Sequence, residues 1–211
     1  VDVTEIALKD SFTTNYELST SALLGVSCGD AQITNAQIDN VTAVPNRTLT
    51  YNKNSQRVDV TTTGITVDNS PVTFTYAETE EGLETSPQTE VPAFTDAGTY
   101  VVHYKASALN HDSVTGTFEV VINNSEITDN DVSVTGYNGV YDGQTHAITV
   151  ELSGDAEEGT IRYRDADGNY TLAECPEYAN VGNYTVAFEI SKANYDPYYG
   201  NALIAITPAQ L

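Results

Sequence analysis

Residues 176–206 read PEYANVGNYTVAFEISKANYDPYYGNALIAI, and residues 92–122 read PAFTDAGTYVVHYKASALNHDSVTGTFEVVI. Laid over each other without a gap, they pair Pro92 with Pro176, Gly98 with Gly182, Tyr100 with Tyr184 and Val102 with Val186. Asn110 with Asn194, Asp112 with Asp196 and Gly116 with Gly200 follow in register. Within each stretch large apolar residues alternate with polar ones. The later copy runs Tyr184, Val186, Phe188, Ile190 and then Ala202, Ile204, Ile206; the earlier runs Tyr100, Val102, Tyr104 and then Phe118, Val120, Ile122. A period of two puts one set on one face, so each stretch is two half-buried strands joined by a turn. Such strand pairs must bury that face against a second sheet.

The repetition extends upstream. TYNKNSQRVDVTTTG (50–64) lies over VYDGQTHAITVELSG (140–154), matching Tyr51 with Tyr141, Val60 with Val150 and Gly64 with Gly154. In the later copy Ile148, Val150 and Leu152 face one way, and Thr149 and Glu151 the other. A third copy shows only at its end: AQITNAQI, around Ile33 to Ile38, resembles VINNSEI, around Ile122 to Ile127, and the closing AITPAQL. From Ile33 to Ile122 is 89 residues and from Ile122 to Ile206 is 84, close to the ~100 residues of an immunoglobulin-type sandwich. We expect an all-β chain of tandem immunoglobulin-like repeats: 1–38 as the C-terminal strands of an upstream repeat, then complete repeats over 39–127 and 128–211.

Local signals agree with this reading. Asp96-Ala97-Gly98-Thr99-Tyr100 has the spacing of a tyrosine corner, and Asn180-Val181-Gly182-Asn183-Tyr184 keeps its Gly and Tyr. Two residues after each Tyr, where antibody domains carry a disulfide cysteine, stand Val102 and Val186, so the sheets are expected to be joined by apolar packing alone. Asp165-Ala166-Asp167-Gly168-Asn169 is rich in turn formers and predicts a hairpin over Ile161 to Leu172. Helix is almost absent; Ser21 to Val26 is the one short apolar run without alternation. Cys28 and Cys175 are far apart in dissimilar surroundings and read as two unpaired thiols, a long-range bridge being the alternative.

Composition narrows the function classes. Of 211 residues, 30 are acidic and 8 basic, a formal charge of -22 that repels nucleic acid and anionic lipid. No apolar stretch approaches the ~20 residues of a membrane span, so no membrane insertion is expected in this fragment. The beginning, VDVTEIALKD, lacks the basic end and apolar run of a signal peptide, and the sequence reads as a piece trimmed from something longer.

With these residues laid out, the repeats resemble the MBG/YDG-type immunoglobulin-like repeats of bacterial cell-surface, adhesin-like proteins. Tyr141-Asp142-Gly143 supplies the eponymous motif, and the match spans essentially the whole chain. The first complete copy departs from it, with Tyr51-Asn52-Lys53 in place of Y-D-G. The resemblance implies an exported array on or near the cell surface or wall, whose partners are other repeats of the same polypeptide; it implies no ligand.

Catalysis needs a nucleophile with a base, paired carboxylates in a cleft, or a metal centre, and none is legible. No cofactor and no metal are expected. His103, His111 and His146 fall singly and read as solvated surface residues. Glu80-Glu81 and Glu157-Glu158 lie in loop-like stretches with no apolar context to raise a pKa. The Asp165 to Asn169 turn offers alternate oxygen ligands but lacks the closing Glu of a calcium loop. Glu126, Asp129 and Asp131 crowd a short junction, readable as a solvated acidic linker or as a place where a cation stiffens it. The densest aromatic group, Tyr195, Tyr198 and Tyr199, is the candidate ligand platform, for a glycan or a host surface protein. The matching stretch of the first copy, from His111 to Thr115, holds no such cluster. A structural stalk is therefore the leading expectation, with a carbohydrate- or host-protein-binding module as the alternative.

Overall fold

The structure, a computed structural model, describes residues 34–210. The expected partial upstream repeat falls almost wholly before them, as do Cys28 and the Ser21 to Val26 run. The chain forms two compact units.

Unit one gathers the described residues up to Leu49 together with Ser55–Phe94 and Thr99–Val121. Its strands are β1 (Ile38–Pro45), β2 (Leu49–Thr50), β3 (Val60–Thr66), β4 (Thr73–Ala77), β5 (Gly98–Ser107) and β6 (Val114–Asn123). β1 pairs antiparallel with β3, and the second sheet runs in the order β2-β6-β5-β4. A single helical turn, α1 (Gly82–Thr85), buries Leu83. Val102, Tyr104 and Ala106 of β5 and Phe118, Val120 and Ile122 of β6 are buried, as the alternation requires, and Ile38 and Ala43 of β1 are buried on the other sheet.

Unit two gathers Ile122–Leu211 with the short segments Thr50–Asn54 and Thr95–Gly98. Its strands are β7 (Val132–Thr135), β8 (Tyr137–Val140), β9 (Thr149–Leu152), β10 (Thr160–Arg164), β11 (Tyr170–Leu172), β12 (Gly182–Ser191) and β13 (Tyr198–Thr207). β7 pairs with β9, and five strands run in the order β11-β10-β12-β13-β8, with β13 and β8 parallel and the other neighbours antiparallel. Val132, Val134, Val150 and Leu152 of the two-stranded sheet pack on a core of Val186, Phe188, Ile190, Ile204 and Ile206 from the other, so the unit is a sandwich. Phe188, Ile190 and Ile204 are fully buried, each contributing roughly 1.5–3 kcal/mol by leaving water. The chain is an all-β immunoglobulin-like sandwich protein. Among the described residues Cys175 is a free thiol, and Val102 and Val186 are buried where a disulfide would lie.

The two aligned blocks are joined in the same way in each unit. Gln56 bridges Phe94, and His146 bridges Tyr178; Ala36 bridges His111, and Ser125 bridges Tyr195. Beside the latter bridges the Asn35 amide donates to Asp112 (3.0 Å), and the Asn124 amide donates to Asp196 (2.9 Å). The turn so clamped needs a left-handed residue, supplied by Asn110 (φ 59°) and Asn194 (φ 70°). The corner recurs as well. Tyr100 stacks on Phe94 and Tyr184 on Tyr178, both at 4.0 Å, and the Tyr184 hydroxyl donates to the Asn180 carbonyl (3.2 Å). Gly116 and Gly200 are small for one reason: a Cβ there would lie within 2.5 Å of the Tyr104 hydroxyl or 2.3 Å of the Phe188 ring on the neighbouring strand.

Candidate functional site

The tyrosine-rich turn opens on Lys192 and ends in β13, and the strand phase separates its three rings. Tyr195 is buried; its hydroxyl donates to Asp155 Oδ1 (3.0 Å) and its ring meets Tyr51 edge-on at 5.5 Å. Burial, then the Asp155 carboxylate, pushes its pKa up, while hydrogen bonds from Lys53 and then Tyr195 hold Asp155 low. Tyr198 lies on the inner phase of β13, tilted against Phe188, and donates to Asp129 Oδ1 (2.9 Å). Its phenol is also raised, by burial first and Asp129 second. Tyr199 takes the outer phase and is 57% exposed. The ring beside it is Tyr170 of β11, with centroids 5.3 Å apart and planes 51° apart. Sequence adjacency grouped Tyr195, Tyr198 and Tyr199; the fold brings Tyr199 to Tyr170 instead. The signal that finds Tyr170 is strand phase, since the expected Ile161 to Leu172 hairpin sets it opposite Arg164.

That hairpin is built as expected, by β10 and β11 around the Asp165 to Asn169 turn. Asp165 Oδ1 accepts from the backbone N–H groups of Asp167 (3.0 Å) and Asn169 (2.9 Å), and Oδ2 from the Thr171 hydroxyl (2.6 Å). These donors, Thr171 foremost, hold its pKa below the ordinary 3.8. Gly168, at φ 94°, closes the turn. The carboxylate that looked like a calcium ligand is the acceptor around which the turn is wound. Among the described residues no group of three or more His, Cys, Asp or Glu side chains is placed to hold a metal ion.

At the acidic junction Glu126 and Asp129 are exposed, as the solvated-linker reading has them, and Asp131 is half-buried. Asp131 Oδ2 accepts from both the backbone N–H (2.9 Å) and the hydroxyl (2.7 Å) of Thr128, and Oδ1 from the Asp155 backbone (3.2 Å). The Thr128 bonds depress its pKa. Asp129 is taken up by Tyr198, as above.

Two of the three histidines are not solvated, which corrects the surface reading. His111 is 8% exposed, because it occupies the position that Tyr195 holds in unit two, beneath the loop that follows β3. Its Nδ1 lies 2.7 Å from the Leu109 carbonyl and its Nε2 lies 3.7 Å from Asp68 Oδ1. The His146 ring stacks on Tyr137 at 3.5 Å, with Nε2 at 3.1 Å from Asp142 Oδ1. His103 is half-buried on its strand. Cys175 is half-buried, and burial pushes its thiol pKa up, away from the thiolate a nucleophile needs. Glu80 and Glu81 precede α1, and Glu157 and Glu158 follow the turn Gly154–Ala156, all four exposed.

No protein-family model matches the chain, and no curated protein does. Solved structures with similarity include the fibronectin(III)-like modules of Clostridium thermocellum CbhA (13% identity, 80% of this chain and 94% of that one, TM-score 0.29). Domains 4 and 5 of the S-layer protein SbsC match at 12% identity over 82% of this chain and all of that one (TM-score 0.30). Protocadherin Gamma B2 extracellular cadherin domains 3-6 match at 14% identity over 81% of this chain, which spans about half, 48%, of that fragment (TM-score 0.28). At these TM-scores the likenesses carry no argument about function, and the fold assignment stands on strand order and buried faces. Among the described residues no helix is long and apolar enough to cross a membrane.

Proposed function

We propose that the chain is a non-catalytic stalk segment of a bacterial cell-surface, adhesin-like protein, built from MBG/YDG-type immunoglobulin-like repeats and exposed outside the cell. The observation that carries this reading is where the chemically capable side chains are used. Asp131, Asp142 and Asp165 accept hydrogen bonds within their turns, Asp155 accepts from the Tyr195 hydroxyl of the loop between β12 and β13, and Asp196 answers the Asn124 amide that clamps that loop. Groups spent on turn geometry are not poised over a substrate, whereas a spacer needs many such turns held rigid.

The eponymous motif has the same structural use. Asp142 Oδ1 accepts from the Gln144 N–H (2.9 Å) and Asn52 Oδ1 from the Asn54 N–H (3.0 Å), with Gly143 (φ 76°) and Lys53 (φ 67°) in the left-handed middle position. Y-D-G and Y-N-K therefore build one turn. The test is solution scattering of the intact chain. A compact particle of this length has a radius of gyration of about 17 Å; a stalk segment is expected to exceed that clearly, and a value near it would overturn the reading.

A further inference from the structure

We propose that the outer face of the five-stranded sheet of unit two binds a neutral glycan, with Tyr170 and Tyr199 as stacking residues and Arg162 and Glu189 as their hydrogen-bonding companions. This goes beyond the stalk reading and does not depend on it. Register places the residues: Glu189 of β12 lies opposite Tyr199 of β13, and Arg162 of β10 lies opposite Glu189. Their sequence neighbours Phe188, Ile190 and Tyr163 are buried, so alternation turns this row outward. Tyr170 of β11 stands on the same face in the adjoining row, opposite Arg164, and its ring leans across to meet Tyr199 at 5.3 Å.

The chemistry of the row is that of a sugar site. A pyranose presents a C–H face to an aromatic ring and a rim of hydroxyls that both donate and accept. Tyr199 offers an open ring, more than half exposed, held at an angle to Tyr170 and not flat against it. Arg162 and Glu189 stand in register, yet their side chains make no hydrogen bond or ion pair with each other or with any other described residue. The exposed Arg162 fork and the half-buried Glu189 carboxylate, side by side, suit hydroxyls of both senses, and their opposite charges select no ionic ligand. The chain's charge of -22 disfavours polyanions at any such face. Unit one has no counterpart: its aligned positions are Lys105 and Thr115, and the Lys105 ammonium is engaged by Glu84 at 2.6 Å.

The experiment uses the intact chain and a panel of neutral hexasaccharides of β-1,4-glucan, β-1,3-glucan, β-1,4-mannan and α-1,4-glucan, followed by calorimetry and by tyrosine emission, which no tryptophan obscures. At least one is expected to bind with a dissociation constant no weaker than about 1 mM. Tyr170→Ala and Tyr199→Ala should each weaken it about tenfold, Tyr199→Phe should retain it, and Tyr198→Phe on the inner face should leave it unchanged. Should Tyr199→Ala fail to fold, Arg162→Ala reads the same row from an exposed position. Absence of binding to every probe overturns the proposal, as does binding that survives the double Tyr170→Ala, Tyr199→Ala change. A preference for a sulfated polysaccharide or a protein at this face overturns it equally.

Discussion

At the scale of single residues, the two copies show which identities a turn demands and which it tolerates. Gly143 sits at φ 76° with open space around its missing Cβ, so Gly143→Ala meets no clash and bears only the left-handed backbone penalty. Its cost is expected to be about 1 kcal/mol by chemical denaturation, and an unchanged midpoint would refute that account. Lys53 holds the same conformation in the first copy, so the loss of Y-D-G there is a loss of spelling and not of geometry. His111 makes the opposite point. A polar residue in an N-x-D turn reads as solvated, but the turn is clamped inward by Asn35 and the ring is buried as Tyr195 is. His111→Ala should cost unit one about 2–4 kcal/mol, whereas a surface histidine would cost almost nothing. Burial at this position was legible only by aligning it with Tyr195 and asking what both rings cover.

At the scale of elements, the strands were legible because period-two alternation is unbroken in β5, β6, β12 and β13, the longest strands and the centre of each core. Shorter strands carried less signal. Gly64 and Gly154 align, yet Gly64 lies inside β3 while Gly154 falls beyond the end of β9, at φ 53°. Sequence adjacency grouped Tyr195, Tyr198 and Tyr199, of which Tyr199 is exposed and Tyr195 buried; the ring Tyr199 meets, Tyr170, is 29 positions away and adjoins it only through the sheet. The β10–β11 hairpin yields a prediction about acid. The Asp165 carboxylate is held below 3.8 in the folded chain, so its contribution to stability is complete above that value and is lost as pH falls through the lowered one. Asp131 and Asp142 share the sign. Unfolding midpoints measured from pH 7 to 2 should therefore fall mainly below pH 3.8, and Asp165→Asn should make that fall shallower. A chelator should leave the midpoint unmoved at pH 7, because both Asp165 oxygens already have protein donors; a drop of several degrees would restore the calcium reading.

At the scale of the whole molecule, charge outweighs the other electrostatic effects. Thirty carboxylates against eight cations leave the folded chain repelling itself. Among the described residues the Lys and Arg ion pairs, Lys53 with Asp155, Arg57 with Glu90 and Lys105 with Glu84, all include exposed carboxylates, and such pairs contribute little. Salt weakens both, but it acts on many repulsions and few attractions. The screening length contracts from about 10 Å at 0.1 M to about 3 Å at 1 M, which removes repulsion between turns while leaving the short hydrogen bonds of Asp131 and Asp165 intact. Thermal midpoints are therefore expected to rise as sodium chloride goes from about 0.1 to about 1 M at neutral pH, in scanning calorimetry of the intact chain. Replacing four exposed carboxylates by glutamines, for instance Glu80, Glu81, Glu157 and Glu158, should raise the low-salt midpoint and reduce its dependence on salt. Midpoints that fall with salt would mean that the few ion pairs outweigh the net charge, and the surface would have to be read as a stabilising network.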